Sequence, residues 1–156
     1  MAARARLLAA ANELFYAEGV QSVGIDRVIQ HAGVAKATLY SAFGSKDGLV
    51  RACLQARHAA TAERMAHELE ARYGTPKERL VGAVEVQGLP FTEPGFRGCA
   101  FISASADAPP SGVVEQTAQD YRTWLHELFF DLAQQAGAKD AKSLAQQLVV
   151  LTTSPE

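Results

Sequence analysis

An excess of positive charge is the first thing that this sequence lacks. Its 156 residues carry 15 lysines and arginines against 17 aspartates and glutamates, which gives a net charge of −2. The first fifty residues hold five basic and four acidic groups, so this segment is also close to neutral. Bulk charge therefore does not favour binding to a polyanion, and any such binding must depend on where single cations are placed.

Cysteines and long apolar runs are also scarce. The two cysteines, Cys53 and Cys99, show neither the spacing of a metal site nor that of a disulfide framework. No run of about twenty apolar residues occurs, and the N-terminus lacks the apolar stretch of a signal peptide. We expect a cytoplasmic protein without a membrane span, a bound metal or a cofactor.

The motifs of common enzyme classes are missing as well. Four histidines are scattered along the chain, and His58 and His67 are nine residues apart, not the three or four that place two metal ligands on one helix face. There is no glycine-rich phosphate loop, no nucleophile elbow and no pair of carboxylates in an apolar setting. We therefore expect that the protein is not an enzyme.

Helical periodicity is what the sequence does contain. The chain is 48% hydrophobic, enough for a core, and its apolar spacing predicts an all-α fold. Helices are expected at residues 6–15, 25–32, from about 35 to 43, 46–72, 76–87, 111–136 and 141–151, with a loop over 88–98 and a short helix over 98–107. Ser45, the Thr75–Glu78 capping box and Asp140 are the predicted N-caps, and Gly137 is a predicted stop.

Two of the short helices meet at a glycine. Ile25, Val28, Ile29 and Ala32 form one apolar stripe, and Gly33 permits the left-handed backbone conformation that ends the first helix. The second helix turns Leu39 and Phe43 inward and its polar groups outward. This layout is typical of a helix-turn-helix, whose second helix enters the major groove of DNA. An ordinary three-helix bundle shows the same spacing, so a scaffold in a helical ligand-binding or protein-interaction module is the alternative.

With the helix at 6–15 in front, this region resembles the TetR (tetracycline-repressor-like) family of transcriptional regulators. The resemblance covers residues 4–54, through LLAAANELFYAEGV, IDRVIQHAGV, AKATLYSAF and GSKDGLV. It implies DNA contacts by Lys36, Ala37, Thr38, Tyr40 and Lys46, of which the tyrosine and the last lysine contact phosphate. Ser41 is a further candidate because it lies on the same outward face of the second helix. Three departures, Gly24, Ala35 and Ala42, each remove a helix cap or a phosphate contact that family members often have.

The resemblance also implies a two-part chain. Residues 1–45 would bind DNA, and residues 46–156 would bind a small-molecule inducer and form a homodimer. Candidate ligand-binding residues are Phe91, Phe96, Cys99, Phe101, Ile102, Tyr121, Trp124 and Phe129. For each of these a plain core role stays open, since an aromatic residue at helical spacing is more often part of a core.

The function implied is that of a repressor, released from double-stranded operator DNA by a small apolar or amphipathic ligand. Family members usually dimerise through two C-terminal helices, whereas only residues 141–151 are present here. We therefore expect that the C-terminus is incomplete or that the dimer is unusual.

Overall fold

The computed structural model describes residues 2–88 and 112–153. The helix predicted over 98–107 lies outside the described residues, as does the loop predicted over 88–98 apart from Gly88. Five of the eight candidate ligand-binding residues are also outside them: Phe91, Phe96, Cys99, Phe101 and Ile102.

The described residues form seven helices and contain no strand, so the predicted all-α fold is confirmed. The helices are α1 (Ala3–Glu18), α2 (Ile25–Ala32), α3 (Lys36–Phe43), α4 (Lys46–Arg72), α5 (Pro76–Gly88), α6 (Val113–Gln135) and α7 (Ala141–Thr153). The predicted bounds of α2 and α4 are correct. The first helix is three residues longer at each end than predicted, because the flanking alanines are strong helix formers and the next breaker is Gly19. None of these helices has the length and apolarity needed to cross a bilayer.

Side-chain caps define the starts of α4, α5 and α7. Ser45, Thr75 and Asp140 each accept a hydrogen bond from the backbone N–H three residues further on, at 3.0, 3.2 and 3.1 Å. In the predicted capping box, Glu78 Oε2 accepts a hydrogen bond from the amide of Gly74 at 3.1 Å. A Gly74 amide bond replaces the usual bond to the cap residue itself, but it satisfies a free donor at the helix start in the same way.

The described residues fall into two compact units. The first comprises residues 2–57 and 112–118, and the second comprises residues 58–88 and 119–153. In the first unit α1, α2 and α3 pack on one another, which confirms the N-terminal three-helix module. Its core includes the fully buried side chains of Leu7, Val28, Leu39 and Leu49.

The second unit has a separate core. Met65, Leu125 and Phe129 are almost inaccessible to solvent, and α5 packs against α7. In α6, Tyr121, Leu125 and Leu132 are buried and Leu128 is half-buried. This helical body completes the predicted architecture.

Candidate nucleic-acid interface

The helix α3 has a single fully buried side chain, on the side that faces α1 and α2. Leu39 has 0% of its surface exposed, and α1 and α2 both pack against α3. Phe43, predicted to face inward, is half-buried at the last position of the helix. The opposite face is therefore presented to solvent without a covering element from the same unit.

The predicted DNA-binding residues lie on this exposed face or next to it. Tyr40 is 44% exposed, and Thr38 and Lys46 are half-buried. Lys36, Ala37 and Ser41 are also exposed. The structure thus brings five of the six residues together on α3 and places the sixth, Lys46, at the first position of α4.

The turn before α3 has the predicted geometry. Gly33 adopts a left-handed conformation with φ 68° and ψ 40°, which a residue with a Cβ rarely adopts. The backbone N–H groups of Gly33 and Val34 both donate to the carbonyl of Ile29, at 2.9 and 3.2 Å. On α2 only Val28 is fully buried, because this short helix packs against its neighbours along one narrow side and leaves the rest of the predicted stripe half-buried.

Both helices of this motif begin without a side-chain cap. Gly24 precedes α2 and Ala35 precedes α3, and neither position provides a side-chain acceptor for the first-turn amides. In α3 the amide of Thr38 instead donates to the backbone carbonyl of Ala35 at 3.1 Å. The amides before it in each helix have no side-chain acceptor and can donate to an anionic partner. The sequence departures at these two positions are structurally real.

The cation at the start of α3 has a neighbour that sequence analysis missed. Lys36 Nζ lies 3.5 Å from Asp26 Oδ1, and the two side chains are 57% and 85% exposed. An ion pair this exposed contributes about 0–1 kcal/mol, so it orients the lysine without locking it. The signal in the sequence was that both residues occupy the first turns of helices that flank one tight turn.

Other charged contacts lie within the same unit. Arg27 pairs with Glu18 at 2.7 Å, and His31 lies 2.9 Å from Glu13. Arg4 lies over the ring of Phe43, with 4.9 Å between the guanidinium carbon and the ring centroid. Each of the three basic residues of α2 and α3 thus has a carboxylate oxygen nearby.

Arg57, in the middle of α4, is attached to α1. Its Nε donates to Asn12 Oδ1 at 3.2 Å, and its guanidinium lies 4.8 Å from the centroid of the Tyr16 ring.

The thiol of Cys53 is buried near Arg57. Burial raises the pKa of this thiol to about 12 despite the opposing charge of Arg57. Cys53 is therefore a protonated core residue at neutral pH and not a reactive thiolate.

Three candidate ligand-binding residues fall in the described part of the second unit. Tyr121 and Trp124 form a cluster with His58, in which the ring centroids are 5.4 to 5.7 Å apart. Burial lowers the pKa of His58, and the negative charge of Asp120 acts in the opposite direction. Phe129 is completely buried. Sequence analysis had not assigned His58, because nothing local links it to a residue more than sixty positions away.

The second unit also has an open groove of about 440 Å³ that sequence analysis did not predict. Its floor includes Leu69, Leu128 and Leu132, and charged residues line its rim: Glu70, Arg79 and Asp131. Tyr121, Trp124 and Phe129 do not line this groove. The aromatic cluster and the groove are therefore two separate candidate surfaces for a small molecule.

Comparison with known proteins decides the family. The sequence profile of the bacterial regulatory proteins of the tetR family matches residues 7–53. A TetR-family transcriptional regulator from Streptomyces coelicolor is 34% identical in sequence, with 97% of this chain and 80% of that chain covered and a TM-score of 0.88. The chain belongs to the TetR family.

Two further TetR relatives illustrate the range of similarity. A TetR-type regulator from Streptomyces avermitilis is 29% identical in sequence, with a TM-score of 0.86. The match covers 98% of this chain and 83% of that chain. The HTH-type transcriptional activator FasR of Mycolicibacterium smegmatis is 46% identical over 55 residues, which are 35% of this chain and 25% of FasR. The present chain thus matches only about a quarter of that activator.

The fold of this TetR protein is also shared by a regulator solved on DNA. A cysteine mutant of the TetR-family regulator CifR, complexed with 26-base-pair double-strand operator DNA, is 22% identical with a TM-score of 0.79. The alignment covers 94% of this chain and 81% of that one. This likeness shows the shared fold. As a member of the TetR family the protein is a DNA-binding transcriptional regulator, and the alternative that its helix-turn-helix is only scaffold is set aside.

Proposed function

We propose that this TetR-family regulator binds its operator as a homodimer through α3 and represses transcription until a small apolar or amphipathic ligand releases it. The observation that supports the proposal is the exposed face of α3, which carries Lys36, Tyr40 and Ser41 over the fully buried Leu39. A helix fixed by its inner side and polar on its outer side is what major-groove recognition requires.

The residues on this face have different chemical roles. Lys36, Ala37 and Thr38 occupy the N-terminal half of α3, the part of a recognition helix that reaches base edges. The lysine donates to guanine acceptors, and the methyl groups of the other two suit a thymine methyl. Tyr40, Ser41 and Lys46 are assigned to phosphate oxygens, which set the position of the protein without reading sequence.

Dimerisation follows from the size of the reading element. The eight residues of α3 span about 12 Å at 1.5 Å per residue, too little for selective binding by one copy. Two copies related by a two-fold axis read half-sites about one helical turn apart. We assign DNA binding to residues 1–45, and ligand binding and dimerisation to residues 46–156.

Release requires a ligand that binds the two states of the protein with different affinity. In the second unit, Tyr121 and Trp124 supply hydrogen-bonding groups within an aromatic cluster, and with Phe129 they remain our proposed ligand-binding residues together with the five outside the described part. The helix α4 contributes to both units without interruption, so it is a covalent route between ligand and DNA. A coupling of about 1–3 kcal/mol is typical of such systems.

The DNA-binding part is tested by fluorescence anisotropy with two labelled duplexes, one from the intergenic region beside the gene and one of random sequence. We expect the intergenic duplex to bind more tightly, and Lys36→Ala to lower its affinity about 5- to 150-fold with little effect on the random duplex. Tyr40→Phe and Lys46→Ala should weaken binding to both duplexes. Lys77→Ala, an exposed lysine of α5, is the matched control.

Equal binding of both duplexes, with no effect of Lys36→Ala, would contradict the assignment of α3 as the reading helix. The direction of regulation is tested separately, by placing the bound intergenic segment before a reporter gene. Repression predicts that the protein lowers reporter output, whereas an activator raises it. Screening small amphipathic molecules for loss of anisotropy then tests ligand release.

A further inference from the structure

An arginine at the start of α1 is attached to the end of the recognition helix. The guanidinium carbon of Arg4 lies 4.9 Å from the centroid of the Phe43 ring, and Phe43 is the last residue of α3. The contact lies within the first unit and joins two elements that are almost forty residues apart in sequence. It fixes where the charge of Arg4 is held.

The stability of α1 does not account for a cation at this position. Its first turn contains no acidic residue, and Ala2 before it provides no side-chain cap. The N-terminal end of a helix carries a partial positive charge, so an arginine there is electrostatically unfavourable for the helix. The Phe43 ring holds Arg4 at this position, and the positive charge of Arg4 remains available to a partner outside the folded chain.

The ionic surroundings of Arg4 differ from those of its neighbours. Lys36, Arg27 and His31 each have a carboxylate oxygen within 4 Å. Within the described residues, Arg4 and Lys46 have no such carboxylate. Phe43 and Lys46 are separated only by a glycine and a serine, so the two uncompensated cations lie at the same end of α3.

The chemistry of the contact favours a phosphate. An aromatic ring holds a guanidinium through its face, which leaves the N–H edges free to donate. The planar fork of those N–H groups matches two oxygens of a phosphate, a geometry that lysine does not offer. Such a contact would also offset the two hydroxyls that Gly24 and Ala35 remove from the interface.

We propose that Arg4, positioned by Phe43, is a phosphate-binding residue that contacts the DNA backbone beside the C-terminal end of α3. The proposal rests on DNA binding through α3 as proposed above. It adds a sequence-independent contact to that interface, because phosphate carries no base information.

The chain provides a matched control two residues away. Arg6 is also exposed, also lies at the start of α1, and has no aromatic ring or carboxylate partner within the described residues. At about 100° per residue it points about 200° around the helix from Arg4. Arg4→Ala and Arg6→Ala therefore remove the same charge from opposite sides of one helix.

The experiment measures affinity for the intergenic and the random duplex by fluorescence anisotropy, over salt from about 50 to about 200 mM. Loss of one phosphate contact lowers the slope of log affinity against log salt by about 0.9 per bound chain. In a bound homodimer both chains lose this contact, so Arg4→Ala should weaken binding to both duplexes by up to about 200-fold at ~50 mM salt and about 20-fold at ~200 mM. Arg6→Ala should change neither quantity, and Arg4→Lys should restore the slope but only part of the affinity.

Thermal unfolding of each variant, followed by circular dichroism, verifies that the fold is retained. Unchanged binding by Arg4→Ala, or equal losses in Arg4→Ala and Arg6→Ala, would overturn the inference and leave the proposed function intact. If the unmodified protein binds neither duplex, the proposed function fails and this inference fails with it.

Discussion

The helices of the DNA-reading module, α1 to α3, begin differently from the helices that follow them. Ala2, Gly24 and Ala35 precede α1, α2 and α3, and none of the three caps its helix with a side chain. The later helices α4, α5 and α7 each begin with a polar side chain that accepts a first-turn amide. Side-chain N-caps thus stabilise the starts of α4, α5 and α7, whereas the starts of α1, α2 and α3 have none.

The difference shows what each region depends on for stability. A side-chain N-cap contributes about 1 kcal/mol, so the three starts without one leave the module dependent on its small buried core. In exchange, no side-chain cap occupies the first amides of α2 and α3, which suits helices whose ends approach phosphate. The starts of α5 and α7 carry none of the proposed DNA-binding residues, so for them a cap has no competing use. Helix α4 has both its Ser45 cap and Lys46, whose side chain is the proposed phosphate contact.

The largest effect is expected at the junction between the two regions. Gly48 donates its amide to the Ser45 cap, and a Cβ at this position would overlap the backbone carbonyl oxygen of Phe43. Because backbone cannot move as a rotamer does, Gly48→Ala should shift the turn between α3 and α4 and destabilise the protein by about 1–3 kcal/mol. Urea denaturation measures this loss.

Gly74→Ala is the matched control for that substitution, since the nearest atom to its Cβ would be a carboxylate oxygen at an ordinary 3.8 Å. It should change stability by less than about 0.5 kcal/mol. If both variants behave alike, the close approach of the two helices is not a constraint, and the junction does not separate the regions.

Removing a cap from the second region should cost more than any change at the bare starts of the module. Thr75 Oγ1 accepts from the amide of Glu78 at 3.2 Å, and Thr75→Ala removes that acceptor. The expected loss is about 1 kcal/mol of unfolding free energy. Thr61→Ala, a half-buried threonine inside α4, serves as a comparison for the loss of a hydroxyl away from a helix start. Equal stability of parent and Thr75→Ala would remove the contrast on which this comparison depends.

Adding a cap to the module should raise the free energy of unfolding, by less than the Thr75 substitution lowers it. Ala35 has the extended backbone conformation of a cap residue, with φ −76° and ψ 150°. In Ala35→Ser a hydroxyl becomes available to the first-turn amides of α3, so we expect a gain of about 0.5–1 kcal/mol, measured without DNA by thermal unfolding at fixed protein concentration. A loss of stability would indicate that a hydroxyl at this position cannot accept a hydrogen bond from the first-turn amides of α3.

The smallest expected effect is on the pH dependence of stability, and it arises from His58 in the second region. Burial lowers the pKa of His58 below its ordinary value of 6.5. The unfolded chain therefore binds a proton at pH values where the folded chain does not, and stability that is complete above pH 6.5 is lost as the pH falls below it. Thermal unfolding between pH 7.5 and about 5 should show a steeper acid loss in the parent than in His58→Gln. Parallel curves for the two proteins would contradict this reading of the cluster.

Sequence reasoning predicted the helices well because helix ends are local. Gly33, Ser45, Thr75 and Asp140 act on residues within four positions of themselves, so their effects can be read without knowing the fold. The outward set on α3 was predictable for the same reason, since helical periodicity alone separates Leu39 from Lys36 and Tyr40.

Contacts between distant residues were not predictable in this way. The pairs Arg4–Phe43, Asp26–Lys36 and His58–Trp124 join separate helices, and their partners are selected by how those helices pack. The same holds for the groove in the second unit, whose lining comes from α4, α5 and α6. No short motif indicates that these residues meet one another.

The sequence by itself therefore determined the all-α class, the helix ends and the exposed face of α3, because hydrophobic spacing and capping act over a few residues. The tertiary structure alone decided which cations are balanced by carboxylates, which arginine is held beside the recognition helix, and where the second unit leaves space for a small molecule. Those properties depend on distances between side chains that the chain brings together only by folding.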